Sequence, residues 1–412
     1  MIYQPETVKG FTDYLPVESQ KREKIKEIAR KYFKLYGFQP VETPFLEFDE
    51  LMRPDNINAG EEDEAVRDRF RLKDRANRNL GMRYEFTFQL ARMFKQNPNI
   101  KLPFKKYQIG ENFRDEPIRV GRTRQFTQCD IDVIGDSSIN ADAECIAVVF
   151  DILKELNIEN VELKINNRKL VDEIIKSVQI QDKQAVLREI DKIDKIGEDQ
   201  VKMNLKKYAD SNQILSLFKL MEKDIAFFKE NMFEGSQDLV DLVKKCKEYG
   251  VKATFSPSLM RGFNYYTGNV FEVIVGKTAL LGGGRYDKLV GKYVNKEIPA
   301  VGISFSVEAL MGLCEKEISQ LKVDSTKAII ISIDQDKETM KLAQLLRKND
   351  VSCITSFDKV GKALEYANSY QIPFAIFVGK DEVTKNKFKI KNMTSGEESL
   401  LAGKSIIAKL KN

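Results

Sequence analysis

Histidine is absent from all 412 residues of this chain. That absence removes every Ser–His and Cys–His nucleophile and every histidine-ligated metal site in one step. Catalysis, if there is any, falls to carboxylates, arginine, lysine, tyrosine, a bound metal or the substrate itself. Cysteine is scarce: Cys129, Cys145, Cys246, Cys314 and Cys353 are scattered, odd in number and never in C-x-x-C spacing. They predict free thiols in a reducing compartment, with neither a disulfide framework nor a zinc site. No apolar run approaches a membrane span, and the opening Met-Ile-Tyr-Gln-Pro-Glu-Thr lacks the basic and apolar regions of a signal peptide. A cytoplasmic protein with no membrane partner is expected.

What is present suits a soluble protein of two or three domains, with 42% hydrophobic and 31% charged residues. A formal net charge of +5 permits nucleic-acid binding without predicting it. Ile25, Ile28, Ala29, Tyr32 and Leu35 share one face of a helix expected over residues 17–36, with Gly37 as its cap. The proline-interrupted segment 38–47 reads as an edge or interface strand. Residues 53–80 read as a loop with a short hairpin near Phe70–Leu72, and residues 84–95 as a helix. A helix over 139–155, a strand over 161–165 and an almost continuously helical, charge-rich stretch over 168–250 follow. Strand-like sequence resumes at Tyr265–Val275, where alternation should send one of Tyr265 and Tyr266 to the core and the other to a cleft. A helix is expected near 306–313 and a linker over 315–326. Strands at 327–333, 351–355 and 374–378 alternating with helices at 337–348 and 359–370 predict a separate α/β domain with a largely parallel sheet.

Chemistry concentrates between Tyr107 and Gly135. Two strand-like stretches flank a loop with Arg114, Arg119, Arg122 and Arg124, and the segment also carries Glu116, Gln128, Asp130 and Asp132. Such a hairpin is expected to aim several guanidinium groups at one place, and guanidinium binds phosphate oxygens in a forked geometry. A solvated surface hairpin fits the same residues. Further along, Gly282-Gly-Gly284 reads as a turn, a bulge or a substrate floor. The Lys and Glu runs of 180–250 read as solvated helix faces, with Lys192, Lys195 and Lys202 also placed to meet nucleic-acid phosphates.

In order along the chain, these pieces resemble the histidyl-tRNA synthetase family of class II aminoacyl-tRNA synthetases. Val8-Lys-Gly-Phe-Thr-Asp-Tyr-Leu-Pro16 is similar to its opening, and the helix leading to Glu42-Thr-Pro44 to motif 1. The Arg114 hairpin is similar to motif 2, and Pro299–Glu308 to motif 3. Leu259-Met-Arg-Gly-Phe-Asn-Tyr-Tyr-Thr-Gly268 and Leu281-Gly-Gly-Gly-Arg-Tyr-Asp287 resemble sequences peculiar to the histidine enzymes.

The resemblance implies an α+β fold. A class II catalytic domain (1–167 and 251–320) has an antiparallel sheet with flanking helices, interrupted by a helical insertion (168–250). A C-terminal α/β anticodon-binding domain (325–412) follows. It implies a homodimer that uses ATP with Mg2+ to activate histidine and transfers it to tRNA(His). Arg114 and Arg261 would be catalytic. Arg114, Glu116, Arg122 and Phe126 would bind ATP, with Gly283 and Gly284 lining the floor. Glu85, Thr87 and Gln128 would hold the amino group, and Asp132, Tyr265 and Tyr266 would form the rest of the histidine site.

That chemistry needs no histidine side chain. Carboxylate attack on a phosphoryl centre calls for preorganised cations more than for a proton carrier. The missing histidine reflects either a Lys-, Ile- and Asn-rich composition or independence from histidine supply. Two positions depart from the family. Ala309 stands where motif 3 has an arginine, a loss of about 2–4 kcal/mol in nucleotide binding unless replaced. Asn264 stands where an aspartate is usual. These departures admit a rival, the related regulatory subunit of ATP phosphoribosyltransferase, a histidine-sensing protein that charges no tRNA.

Overall fold

The computed structural model describes residues 5–52, 67–260, 265–323 and 326–411. Arg261 and Asn264 lie outside the described residues, as does 53–66 of the expected loop. The chain divides into two compact units, residues 1–321 and 322–412.

In the first unit the strands in chain order are β1 (Gln39–Pro40), β2 (Leu46–Phe48), β3 (Arg71–Lys73), β4 (Asn79–Met82), β5 (Phe104–Phe113) and β6 (Gln125–Ile134). They continue as β7 (Glu162–Asn167), β8 (Ala253–Phe255), β9 (Asn269–Val275), β10 (Thr278–Arg285) and β11 (Ala300–Ser306). Eight of them form a sheet in the order β1-β5-β6-β11-β10-β9-β7-β8, and β2-β4-β3 form a small second one. The inner pairings of the large sheet are antiparallel, as the resemblance implies, and only the edge strands β1 and β8 pair in parallel.

Alternation along the strands divides the large sheet into two chemically different faces. Tyr107, Ile131, Ile303, Gly283, Phe271 and Ile165 are register partners running across six strands. Except at Gly283, their side chains enter the main apolar core, where a buried isoleucine or phenylalanine contributes about 1.5–3 kcal/mol. Helices Pro16–Leu35 and Ile139–Glu155 cover this face. The next row on the opposite face reads Lys106, Asp132, Gly302, Gly284, Val270 and Asn166. This second face carries the polar site.

Helix Pro16–Leu35 has proline in its first turn, and its end is closed by Gly37 N–H donating to the Lys34 carbonyl and Phe38 N–H to that of Phe33. Ile25, Ile28 and Ala29 are buried as their spacing predicts, whereas Leu35 is 69% exposed and Phe33 packs in its place. The expected helix over 84–95 begins only at Phe88: backbone hydrogen bonds tie Arg83 to Phe45 and Phe113, and the chain bends through residues 84–87 before the helix starts. Residues 168–250 hold seven helices, from Arg168–Ser177 to Ser236–Glu248. Their Leu170, Val186, Leu217 and Leu239 join the same buried cluster as the sheet, so one core serves both. The segment expected as a linker contains a short helix, Glu315–Ser319.

The second unit holds β12 (Ala328–Ser332), β13 (Cys353–Ser356), β14 (Phe374–Val378), β15 (Phe388–Asn392) and β16 (Glu398–Leu401), in the order β13-β12-β14-β15-β16. The three strands read from sequence are parallel neighbours, but β15 and β16 pair antiparallel, so the sheet is mixed. Helices Asp336–Arg347 and Val360–Ser369 match their expected ranges. All five cysteines are buried and free, and burial raises each thiol's pKa.

Candidate active site

One pocket opens on the polar face of the large sheet. It is lined by Phe126, Gln128, Asp130 and Asp132 of β6, by Ser304 of β11 and Gly282 and Gly283 of β10, by Glu85 and Thr87, and by Tyr265, Tyr266 and Tyr286. Arg114, Glu116 and Arg122 complete its rim. Every second residue of β6 faces this space, which is why four polar or aromatic side chains from ten consecutive residues meet there.

The floor is a buried ionic cluster. Lys106, fully buried on β5, bonds Asp130 at 2.5 Å and also Asp132, its register partner. The Tyr286 hydroxyl donates a hydrogen bond to the other oxygen of the Asp132 carboxylate. Burial alone would pull the Lys106 ammonium pKa down, but Asp130 and Asp132 together hold it above its ordinary value. Burial, then the neighbouring Asp132, pushes the Asp130 carboxyl well above the usual carboxylate range. Beside Asp132 the sheet is bare. A Cβ added at Gly302 would lie 2.1 Å from the Asp132 carboxylate, and one at Gly284 would lie 2.8 Å from the Tyr266 ring. Any side chain at Gly302 would displace the carboxylate.

The upper wall is made by Glu85, which accepts a hydrogen bond from the Tyr265 hydroxyl at 3.0 Å, and by Gln128, whose carbonyl accepts from Asn112 at 2.6 Å. Burial, then Glu85, raises the Tyr265 pKa well above its ordinary value, so the phenol stays a donor. Tyr265 and Tyr266 both line the pocket, with ring centroids 4.7 Å apart. Tyr266 is also buried in an apolar cluster with Leu90, Ile134 and Val270, and Tyr265 packs partly buried at its edge, so the expected split between core and cleft holds in part. Gly283 lines the pocket with its main chain, while its Cβ direction points at Phe271 on the core side.

The four arginines do not converge. Arg114 lies 4.2 Å from the Tyr84 ring centroid and 4.9 Å from that of Phe126, and its Nε donates to the Tyr84 carbonyl at 3.2 Å. This anchoring leaves its two terminal nitrogens without a hydrogen bond among the described residues. Arg122 lines the rim, 48% exposed, with Glu116 at 3.4 Å. Arg124 instead pairs with Asp115 at 3.1 Å, and its stem packs on Gly10. Arg119 and Arg122 close a tight turn through paired backbone hydrogen bonds, with Gly121 at φ +71°. That turn sends alternate guanidiniums apart.

The same turn bears on Ala309. The main chain at Gly121 sits against Ala309 and Gly312 of helix Val307–Leu313, so closely that a Cβ on Gly312 would come within 2.8 Å of the Gly121 nitrogen. Small residues on the helix admit this contact. The neighbouring Glu308 faces away from the pocket and forms a buried pair with Arg22 at 2.7 Å, while accepting the Thr127 N–H at 2.9 Å. Lys192, Lys195 and Lys202 lie beside Glu189, Asp191 and Glu198, one helical turn away, as solvated faces do.

Lys106, Tyr286, Asn112 and Gly302 were not singled out as site residues from sequence. Tyr286 belongs to the glycine segment Leu281–Asp287, where sequence alone assigns it no role. Lys106 had a usable signal: pairing the strands symmetrically about the arginine loop sets it opposite Asp132.

A family model described as histidyl-tRNA synthetase matches residues 10–310, and one described as anticodon binding domain matches residues 327–412. The chain is 37% identical to "Histidine--tRNA ligase 1" of Bacillus cereus (strain ATCC 10987 / NRS 248) across 95% of this chain and 94% of that protein. It is 32% identical to "Histidine--tRNA ligase" of Clostridium tetani across 100% and 99% of the two chains. The crystal structure of histidyl-tRNA synthetase from Nostoc sp. PCC 7120 superposes with a TM-score of 0.85 at 26% identity, covering 99% of both chains. The motifs, the sheet order that gathers them and this end-to-end likeness agree: the chain belongs to the histidyl-tRNA synthetase family.

Proposed function

We propose that this pocket joins histidine to ATP and that the chain then charges tRNA(His). In the first step a histidine carboxylate oxygen attacks the α-phosphorus, the bond to the leaving pyrophosphate breaks, and histidyl-adenylate forms. In the second, the 3′-terminal hydroxyl of the tRNA attacks the activated carbonyl, the bond to the AMP phosphate breaks, and the hydroxyl proton passes to that departing phosphate. The observation that carries this reading is the meeting, in one pocket, of an ionic floor fit for a ring N–H with a guanidinium held between two aromatic rings.

Asp132 would accept the imidazole N–H, with Tyr266 beside the ring. Glu85, Thr87 and Gln128 would surround the α-ammonium, with Tyr265 orienting Glu85. Arg114 and, by the resemblance, Arg261 would stabilise charge at the α-phosphate. Phe126 would stack on adenine, Glu116 would meet its amino group, and the backbone of Gly283 and Gly284 would form the floor. Arg122 would reach the outer phosphates, the task left open by Ala309. Among the described residues no three acids or cysteines gather as a metal site, so Mg2+ would be held by the triphosphate and water.

The second unit would read the anticodon. The protein would act in the cytoplasm, and none of its described helices is long and apolar enough to cross a membrane. Exposed Leu35, Phe45 and Phe48 near the motif 1 segment offer apolar surface to a second copy, supporting a homodimer. A regulatory, histidine-sensing role is disfavoured by the anticodon-binding domain and by the full-length likeness to ligases. Histidine-dependent exchange between pyrophosphate and ATP tests the first step. Exchange with no amino acid, even at high ATP, would overturn the proposal.

A further inference from the structure

Lys106 carries no solvent exposure, yet its ammonium serves two carboxylates, Asp130 at 2.5 Å and Asp132. The Phe86 ring lies 6.0 Å from it. Asp132 receives the Tyr286 hydroxyl as well, and beyond it the row continues as the bare backbone of Gly302 and Gly284. Two carboxylates this close in a dry site repel each other unless a cation lies between them, and without it the aim of Asp132 would not be fixed. Burial and Asp132 already drive the Asp130 carboxyl towards protonation, and Lys106 opposes this.

Resting on the reading that the pocket binds histidine, we propose that Lys106 is a positioning residue for ring recognition. Held between Asp130 and Asp132, it balances their charge and keeps the Asp132 carboxylate aimed across the glycine floor as the acceptor for an imidazole N–H. It touches no substrate. Its effect falls on histidine and not on ATP, because the cluster lies at the floor and the arginines at the rim.

The test compares wild type, Lys106→Met and Lys106→Met/Asp130→Asn in pyrophosphate–ATP exchange, with folding checked by thermal melting. Lys106→Met should raise the KM for histidine about 30-fold or more, while the KM for ATP stays within about twofold. The double variant removes the competing acid and supplies an amide donor to Asp132. It should therefore recover histidine KM at least about threefold relative to the single variant, a non-additivity that simple loss of packing would not give. Smaller changes in the single variant, equal changes in both KM values, or a double variant no better than the single would each overturn the proposal. Where Lys106→Met does not fold, the double variant is set against wild type: a histidine KM within about 30-fold supports the proposal, and a larger loss overturns it. A wild-type enzyme without histidine-dependent exchange would sink the functional reading itself. An active wild type with an unmoved Lys106→Met would sink only this inference.

Discussion

Lys106 lies buried behind the acids that floor the pocket, and Arg122 lines its rim. The first is wholly buried between two carboxylates, and the second is 48% exposed with one carboxylate 3.4 Å away. In the dry floor, charges must be balanced within the protein before any ligand arrives, so geometry is fixed and an unmatched ligand leaves polar groups unpaired. At the wet rim, water screens a guanidinium and it can swing to meet phosphates. The difference teaches that discrimination between amino acids belongs to the floor, and capture of a polyphosphate to the rim.

Arg114 sits between these regimes, at the rim yet anchored on two aromatic rings and a carbonyl. Arg114→Ala should lower kcat for pyrophosphate exchange by about 10²–10³-fold, as loss of a preorganised charge-stabilising group does. A loss below tenfold would place Arg114 with the screened cations. Next in size, Gly302→Ala should raise the KM for histidine by about 10–100-fold and leave ATP binding nearly intact, because the new methyl group displaces a buried hydrogen-bonded carboxylate. Equal effects on both substrates would erase the division between floor and rim.

Arg122→Ala should raise the KM for ATP by about 5–20-fold at low salt, and by less in 0.5 M salt, where exposed charges are screened. A salt-independent loss would mean that Arg122 is buried in the bound state. Arg124→Ala, whose partner Asp115 is itself half exposed, should move the KM for ATP by about threefold at most. A larger change would restore the picture of arginines converging on one point.

Much of this was legible in the chain. The β5–β6 hairpin declares itself by two runs of strand residues around a charged loop, and the parallel core of the second unit by continuous apolar strands. Gln128 and Asp132 stand out as polar residues of that hairpin and take their roles from the family resemblance, while their shared face on β6 is visible only in the fold. Other features depend on contacts distant in sequence. The segment 84–87 keeps a helix-like pattern, but Arg83 just before it is tied to Phe45 and Phe113, and the helix starts only at Phe88. The position of the arginines is set by a turn whose tightness depends on packing against Ala309 and Gly312. Lys106 looked like one surface lysine among many, since only strand pairing reveals the two acids beside it. Leu35 follows its helical stripe and still meets solvent in the single chain.

The ten-residue pairing of β5 with β6 has a consequence for how the chain finds its fold. If the hairpin zipped up one residue out of step, Gln128, Asp130 and Asp132 would turn into the apolar core, and Cys129, Ile131 and Val133 would turn outward to water. Burying even one of those polar groups without a partner costs several kcal/mol, of the same order as the net stability of a domain. The side chains proposed to recognise the substrate therefore also proofread strand pairing. A chain that mispairs this hairpin loses its site and its core together.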